Sequence, residues 1–132
     1  MINHKTAKEQ IQKLIDKYNR IIQEGKENKY NEETTKLSFI HPLFHALGWN
    51  FEDAEEVTAE ERVSKKKVDH GFKINGIAKF YLEAKSLKED LNDLESIKQA
   101  INYAYHKGCP WAVLTNFEGI RIFNAEWKTL NP

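Results

Sequence analysis

The 132-residue chain has one cysteine, one methionine, three prolines and no net charge. With Cys109 alone, no internal disulfide can form, which fits a reducing cytosol. Twenty basic residues cancel twenty acidic ones, so bulk charge announces no polyanion binder, and any such site must come from local clustering. No apolar run approaches membrane-spanning length and the start, MINHKTAKEQ, carries no apolar signal core, so no membrane partner is expected. The stretch GKENKYN is not a phosphate loop, because no glycine stands five residues upstream and no Ser or Thr follows the lysine. No recognition helix with Arg, Asn and Gln fingers is present to read bases. What remains is an ordinary globular composition, 40% apolar and 30% charged, for one domain with one core. The end, NAEWKTLNP, with Trp127 in a polar setting, suggests a tail at 126–132 leading to something longer.

Apolar residues at Ile11, Leu14, Ile15, Tyr18, Ile21 and Ile22 predict an amphipathic first helix. A second is expected from about Glu32 to Leu47, capped by Asn31, with Leu37, Ile40, Leu43, Phe44 and Leu47 inward. Pro42 should kink it by removing the bond to the Ser38 carbonyl, and Gly48 before Trp49 should close it. Three strands follow. The first alternates through Val57, Ala59 and Val63; the second sets Val68, His70, Phe72 and Ile74 on one face; the third does the same with Ala78, Phe80, Leu82 and Ala84. A third helix, about Leu87 to Lys107, and the strands WAVLTN and GIRIFN complete an α/β sandwich with a mixed sheet.

The hairpin over Lys67 to Lys88, KVDHGFKINGIAKFYLEAKSLK, decides which side chains meet. A two-residue type I′ turn at Asn75-Gly76 would set every polar position against an apolar one. An odd connection, such as Ile74-Asn75-Gly76 with a G1 bulge, restores parity, placing Val68 beside Leu82 and Asp69 beside Tyr81 and close to Glu83. Asp69, Glu83 and Lys85 then share one neighbourhood. A solvated ion pair is the bland explanation. Against it, the charges end an apolar, central-type strand, and converging carboxylates repel unless a cation is present. A hard divalent ion such as Mg²⁺ takes such oxygens together with water and phosphate, and Lys85 stands where it could hold a phosphate oxygen or water.

These residues also carry a resemblance. VDH at Asp69, thirteen residues, then EAK at Glu83-Ala84-Lys85 resembles the PD-(D/E)XK nuclease motif, with Val68 in place of the proline. NEETTKLSFIHPLFHALGW resembles the acidic helix, IKQAINYAY the Gln-x-x-x-Tyr helix and WAVLTNFEGIRIF the closing strands of one branch. That branch comprises type I restriction enzyme R subunits and fused restriction–modification enzymes. The resemblance implies a restriction-endonuclease-like α-β-β-β-α-β core at 31–124 within a nuclease domain at 1–125, with an extra N-terminal helix at 1–28. It implies Asp69, Glu83 and the Ala84 carbonyl as ligands of Mg²⁺, with Mn²⁺ as a substitute, and Lys85 as catalytic lysine. Glu32 would be the outer acid, with Glu33 as the alternative; acids in a first helical turn also favour the macrodipole whatever their function.

The resemblance further implies that Gln99 and Tyr103 position DNA or the catalytic groups. A buried stripe of Leu91, Leu94, Ile97, Ile101 and Ala104 puts both roughly 140–180° away from it. Lys65, Lys66 and Lys67 form a basic run next to Asp69, read either as a solvated face or as a phosphate-steering patch. His41 and His45 have a zinc-compatible spacing without a third ligand, and Cys109 reads as packing. The expectation is a Mg²⁺-dependent endonuclease domain acting on double-stranded DNA in the cytoplasm. Specificity, methyltransferase and ATP-dependent motor functions would lie in other domains or subunits. The rival readings are a non-catalytic DNA-binding or docking module of the same fold, and a repair or junction-resolving nuclease.

Overall fold

The computed structural model describes residues 3–59, 61–63 and 66–126, with 61–63, 66 and 67 by backbone alone. Helix α1 (His4–Gln23) starts at Asn3, whose side chain accepts from the N–H groups of Lys5 and Thr6, and it buries Ala7 and Ile21. The second helical run has three parts: α2 (Glu32–Thr35), a π-helical turn (Lys36–Ile40) and α3 (His41–Ala46). Asn31 caps it as expected, accepting from the Thr34 N–H at 2.8 Å.

Pro42 accounts for the widened turn. It has no N–H for the Ser38 carbonyl, which accepts from Lys17 Nζ at 3.4 Å instead. The His41 N–H reaches back five residues to the Lys36 carbonyl. The expected kink is therefore a π-bulge. Its extra residue changes the angular spacing of the run, and Leu37, expected inward, is 59% exposed; Leu47 is exposed too. Gly48, at φ 107°, closes the run, and the Trp49 N–H bonds to the Phe44 carbonyl at 3.1 Å.

Strands β3 (His70–Ile74), β4 (Ile77–Ala84), β5 (Trp111–Thr115) and β6 (Ile120–Asn124) form a mixed sheet in that order. The central β4–β5 pair is parallel and the outer pairs are antiparallel. Strands β1 (Glu61–Val63) and β2 (Lys66–Val68) form a separate antiparallel ribbon. The expected first strand is thus shorter at its start, where Val57 makes one isolated bridge to Phe72. Helices α1 and α3 cover one face of the sheet, over Phe72, Leu82 and Ala84. Helix α4 (Leu94–His106) covers the other, over Tyr81 and Leu114. The architecture is mixed α/β, a four-stranded mixed sheet flanked by helices, compatible with the restriction-endonuclease-like fold expected from the sequence.

Two expectations about the hairpin need correction. Asn75 (φ 53°) and Gly76 (φ 77°) both lie in the left-handed region, and Ile74 pairs with Ile77, so the turn is the two-residue form. Parity is restored further along: Lys73 pairs with Ala78 but Phe72 with Phe80, leaving Lys79 as the extra, bulged residue. His70 pairs with Leu82, and Asp69, in the bend just before, sends its N–H to the Leu82 carbonyl and its carboxylate to the Ala84 N–H rather than lying beside Tyr81. The shared face of Val68, His70 and Phe72 is also broken. The chain bends at Asp69, sending Val68 into the α4-side core while His70 and Phe72 go to the α3 side.

Helix α4 starts at Asp93, whose carboxylate accepts from the Ser96 N–H at 3.2 Å, and not at Leu87, which is buried beside Ile21 and Phe39. Its buried stripe is Ala100, Tyr103 and Ala104, while Leu94 is 66% exposed. The two alanines let the helix approach the sheet closely. Tyr103 then fits edge-on against Tyr81, with ring centroids 5.2 Å apart. The close approach extends to Gly71, where an added Cβ would stand 2.7 Å from Tyr81 Cε1. Gly71→Ala should lower stability by about 1–3 kcal/mol in urea denaturation, since buried Tyr81 has no room to yield. A loss below about 0.5 kcal/mol, the ordinary scatter for surface sites, would contradict that packing.

Candidate functional site

The site forms where β4 ends and β2 bends into β3. Asp69, 4% exposed, sits in the bend with its N–H donating to the Leu82 carbonyl at 3.1 Å. Its Oδ2 accepts from the Ala84 N–H at 2.7 Å, and its Oδ1 from Lys36 Nζ at 2.9 Å. The N–H and C=O of one strand residue point to the same edge, so the Ala84 carbonyl faces the Asp69 side of β4.

Glu83 and Lys85 follow on β4 and its end, and Lys85 Nζ lies 3.2 Å from Glu83 Oε2. The Lys85 N–H donates to the Thr115 carbonyl at 2.8 Å, so the parallel strand β5 anchors this end of β4. Burial pushes the Glu83 carboxyl above its ordinary range; Lys85 opposes this, and the charges of Asp69 and Glu32 reinforce it. Burial alone would lower the Lys85 ammonium, but Glu83, Glu89 and Glu32 outweigh it and hold the amine protonated above its ordinary value. Helix α2 thus brings Glu32 into the field of the strand residues. Its neighbour Glu33 turns to Lys36 instead, at 3.2 Å.

Two residues of this neighbourhood escaped the sequence reading. Lys36 is one, with its side chain 14% exposed between Glu33 and Asp69. Burial opposes its charge, but the hydrogen bond and charge of Asp69, then those of Glu33, raise its pKa. Glu89 is the other, 3.9 Å from Lys85 Nζ in the loop before α4 and held there by Asn116 Nδ2 on its carbonyl. The π-bulge could have signalled Lys36 only through Pro42 placed six residues later.

Of the remaining predicted residues, Gln99 is at the surface, but Tyr103 is 2% exposed and inside the α4-side core. Its ring cannot contact DNA directly, so the expected exposed Gln99–Tyr103 pair is not formed. Lys65 and the side chains of Lys66 and Lys67 lie outside the described residues, as does Trp127. His41 does not join His45: it faces His70, Nε2 to Nε2, at 2.7 Å. His70 Nδ1 stands 2.7 Å from the Thr58 carbonyl, which fixes the hydrogen on Nδ1. Nε2 of neutral His70 therefore accepts, and His41 donates.

Among the described residues, no three His, Cys, Asp or Glu side chains cluster closely enough to hold a metal ion. A nitrogen- and sulfur-preferring ion such as Zn²⁺ therefore has no set of three ligands among them. Mg²⁺ asks less of side chains, one or two carboxylates with water and substrate oxygens completing the shell. Asp69, Glu83 and the Ala84 carbonyl are hard oxygen donors at one strand end, and they fit that group.

An α/β domain with this four-stranded mixed sheet flanked by helices is compatible with the restriction-endonuclease-like class. The family model for the type I restriction enzyme R protein N terminus matches residues 55–130, more than half of the chain. The chain belongs to that family. It is also 33% identical over 131 residues to the type II restriction enzyme and methyltransferase RM.Eco57I of Escherichia coli, over 89% of this chain and 13% of that protein. The chain thus spans about an eighth of the length of that curated relative. No solved structure matches. No helix among the described residues is long and apolar enough to cross a membrane.

The histidine pair gives this region a pH dependence. Burial, then His70 and Lys36, lower the His41 pKa to about 4, with Glu33 and Asp69 opposing. A folded-state value below the ordinary 6.5 means the unfolded chain takes up the proton first. Stability should be full above pH 6.5 and fall progressively toward about pH 4. Urea midpoints should fall more steeply across that window for wild type than for His41→Phe. Equal slopes would contradict the assignment.

Proposed function

We propose that this domain is a Mg²⁺-dependent DNA endonuclease module of a restriction–modification system. The observation that carries the reading is the meeting of Asp69, Glu83 and Lys85 at the end of a central strand, in a chain of a restriction-enzyme family. Asp69 and Glu83 would hold the ion with the Ala84 carbonyl, and Glu32 would act from α2 as the outer acid. When bound, the ion supplies positive charge to the scissile phosphodiester and acidifies water at the site.

The chain's own groups supply the rest. The Lys85 ammonium, kept protonated by three carboxylates, orients water or a phosphate oxygen and offsets charge developing on phosphorus. The β4–β5 anchor at Thr115 holds it there. Glu83, whose carboxyl burial keeps partly reluctant to ionise, is drawn to its charged form by Lys85 and by any cation beside it. The basic run Lys65–Lys67 would steer the phosphate backbone toward the bend at Asp69. Gln99 would act from the surface of α4, and Tyr103 only by supporting the sheet beneath Tyr81. Because the chain spans a small part of its curated relative, base recognition, methylation and any motor activity are assigned to other domains or subunits. Cutting both strands of a duplex then needs a second copy or two successive events.

One observation favours a second reading, a non-catalytic DNA-binding module of the same fold. Each strand carboxylate already has a lysine, Asp69 with Lys36 and Glu83 with Lys85, as a purely structural ion-pair network would. Plasmid nicking separates the two. With Mg²⁺ or Mn²⁺ the wild-type chain should nick supercoiled DNA, and Asp69→Ala and Lys85→Ala should each reduce the rate by about a hundredfold or more. Nicking that survives both substitutions would rule out the mechanism. Ion binding and DNA binding without nicking would favour the second reading.

A further inference from the structure

No strand or helix spacing points to Lys36, yet among the described residues it is the side chain most closely engaged with Asp69. Its Nζ lies 2.9 Å from Asp69 Oδ1 and 3.2 Å from Glu33 Oε1. The other Asp69 oxygen, Oδ2, is taken by the Ala84 N–H at 2.7 Å. Oδ1 is thus the Asp69 oxygen not held by the backbone, and an ammonium sits on it. The two carboxylates that Lys36 bridges are unlike. Asp69 is 4% exposed and fixed in the bend, whereas the Glu33 side chain is 67% exposed and free to follow.

We propose that Lys36 is the resident counter-ion of this site, holding the Asp69 oxygen that a divalent ion requires and withdrawing toward Glu33 when such an ion arrives. The inference rests on the reading of the site as one for a divalent ion. The ammonium keeps a buried carboxylate from standing uncompensated while no ion is present. It also competes with the ion, because two positive centres cannot share one oxygen without strong repulsion in a partly buried setting. The exchange needs no backbone movement. Glu33 is one turn away on the same helical run, already within ion-pair distance, so rotation about the last bonds of the lysine suffices. The π-bulge sets the stage, since Lys36 is its first residue and its carbonyl accepts the i+5 bond from His41. The bulge and Pro42 therefore fix the point on the helix from which Lys36 reaches Asp69. Ion affinity at the site is set by the difference between the two cations' hold on Oδ1, so it should rise when the resident charge is removed.

Calorimetric titration with Mn²⁺ of the whole chain tests this. Lys36→Gln keeps an N–H donor near Asp69 and removes the charge, and it should bind Mn²⁺ on the order of tenfold more tightly than wild type. By the same linkage, Mn²⁺ should raise the melting temperature of Lys36→Gln more than that of wild type. Unchanged or weaker binding by the folded variant would overturn the proposal. Asp69→Asn should lose Mn²⁺ binding in either background. If it binds as wild type does, the divalent-ion reading and this proposal fall together; if only the Lys36→Gln prediction fails, the proposal falls alone. Should Lys36→Gln not fold, Lys36→Arg decides the matter. Its charged fork should grip Asp69 and Glu33 more firmly and weaken Mn²⁺ binding, and equal or tighter binding would overturn the proposal.

Discussion

The bond from the Ala84 N–H to Asp69 Oδ2 is the constraint on which the site depends. It ties a bend, where the chain leaves one ribbon for another sheet, to the last residue of the strand at the sheet's centre. Without it, Asp69 would be a charged residue in a turn with no fixed direction. With it, the carboxylate is fixed at the end of β4 and its second oxygen meets Lys36 of the helical run. The bond is short and charge-assisted, and Asp69 is nearly fully buried, so removing the acceptor would leave a backbone donor without a partner in the core.

Around that bond, the fold balances charge locally while the chain as a whole is neutral. Among the described residues, Glu32, Glu33, Asp69, Glu83 and Glu89 gather about Lys36 and Lys85, an excess of acid over base within that set. Burial makes that excess costly, as the raised carboxyl of Glu83 registers. Lys36 on Asp69 and Lys85 on Glu83 offset part of that cost. The two faces of the sheet contribute unequally. The α3 side brings the acidic helix and Lys36, and the α4 side brings packing through Ala100, Tyr103 and Ala104.

The residues that meet here were largely legible in the sequence, because a period of two along β3 and β4 forces acids and lysine to one end of a hairpin. Parity showed that the hairpin holds one extra residue but not where. The chain puts it at Lys79, and Asn75-Gly76 keeps the turn its own chemistry favours. That choice moves Asp69 from Tyr81 to the end of β4, against Leu82 and Ala84, a shift that alternation alone cannot resolve. Burial on α4 was misjudged for a related reason. Weighting Leu94 as core and Tyr103 as surface ignores that small alanines set how near a helix comes to a sheet. Lys36 was out of reach because its direction depends on the π-bulge, and only the absent N–H of Pro42 hints at that. The histidine pair joins residues twenty-nine apart, which no local spacing discloses.

The central claim is that Asp69 and Glu83 form one cation pocket rather than two separate ion pairs. Crystals of the chain grown with Mn²⁺ and measured at the manganese edge test it most directly. The account predicts one anomalous peak between the two carboxylates, with ligand oxygens, the Ala84 carbonyl among them, at about 2.1 Å, near the distance a small hard ion demands. A map with no peak there, and with Lys36 still on Asp69 and Lys85 still on Glu83 at saturating Mn²⁺, would contradict it.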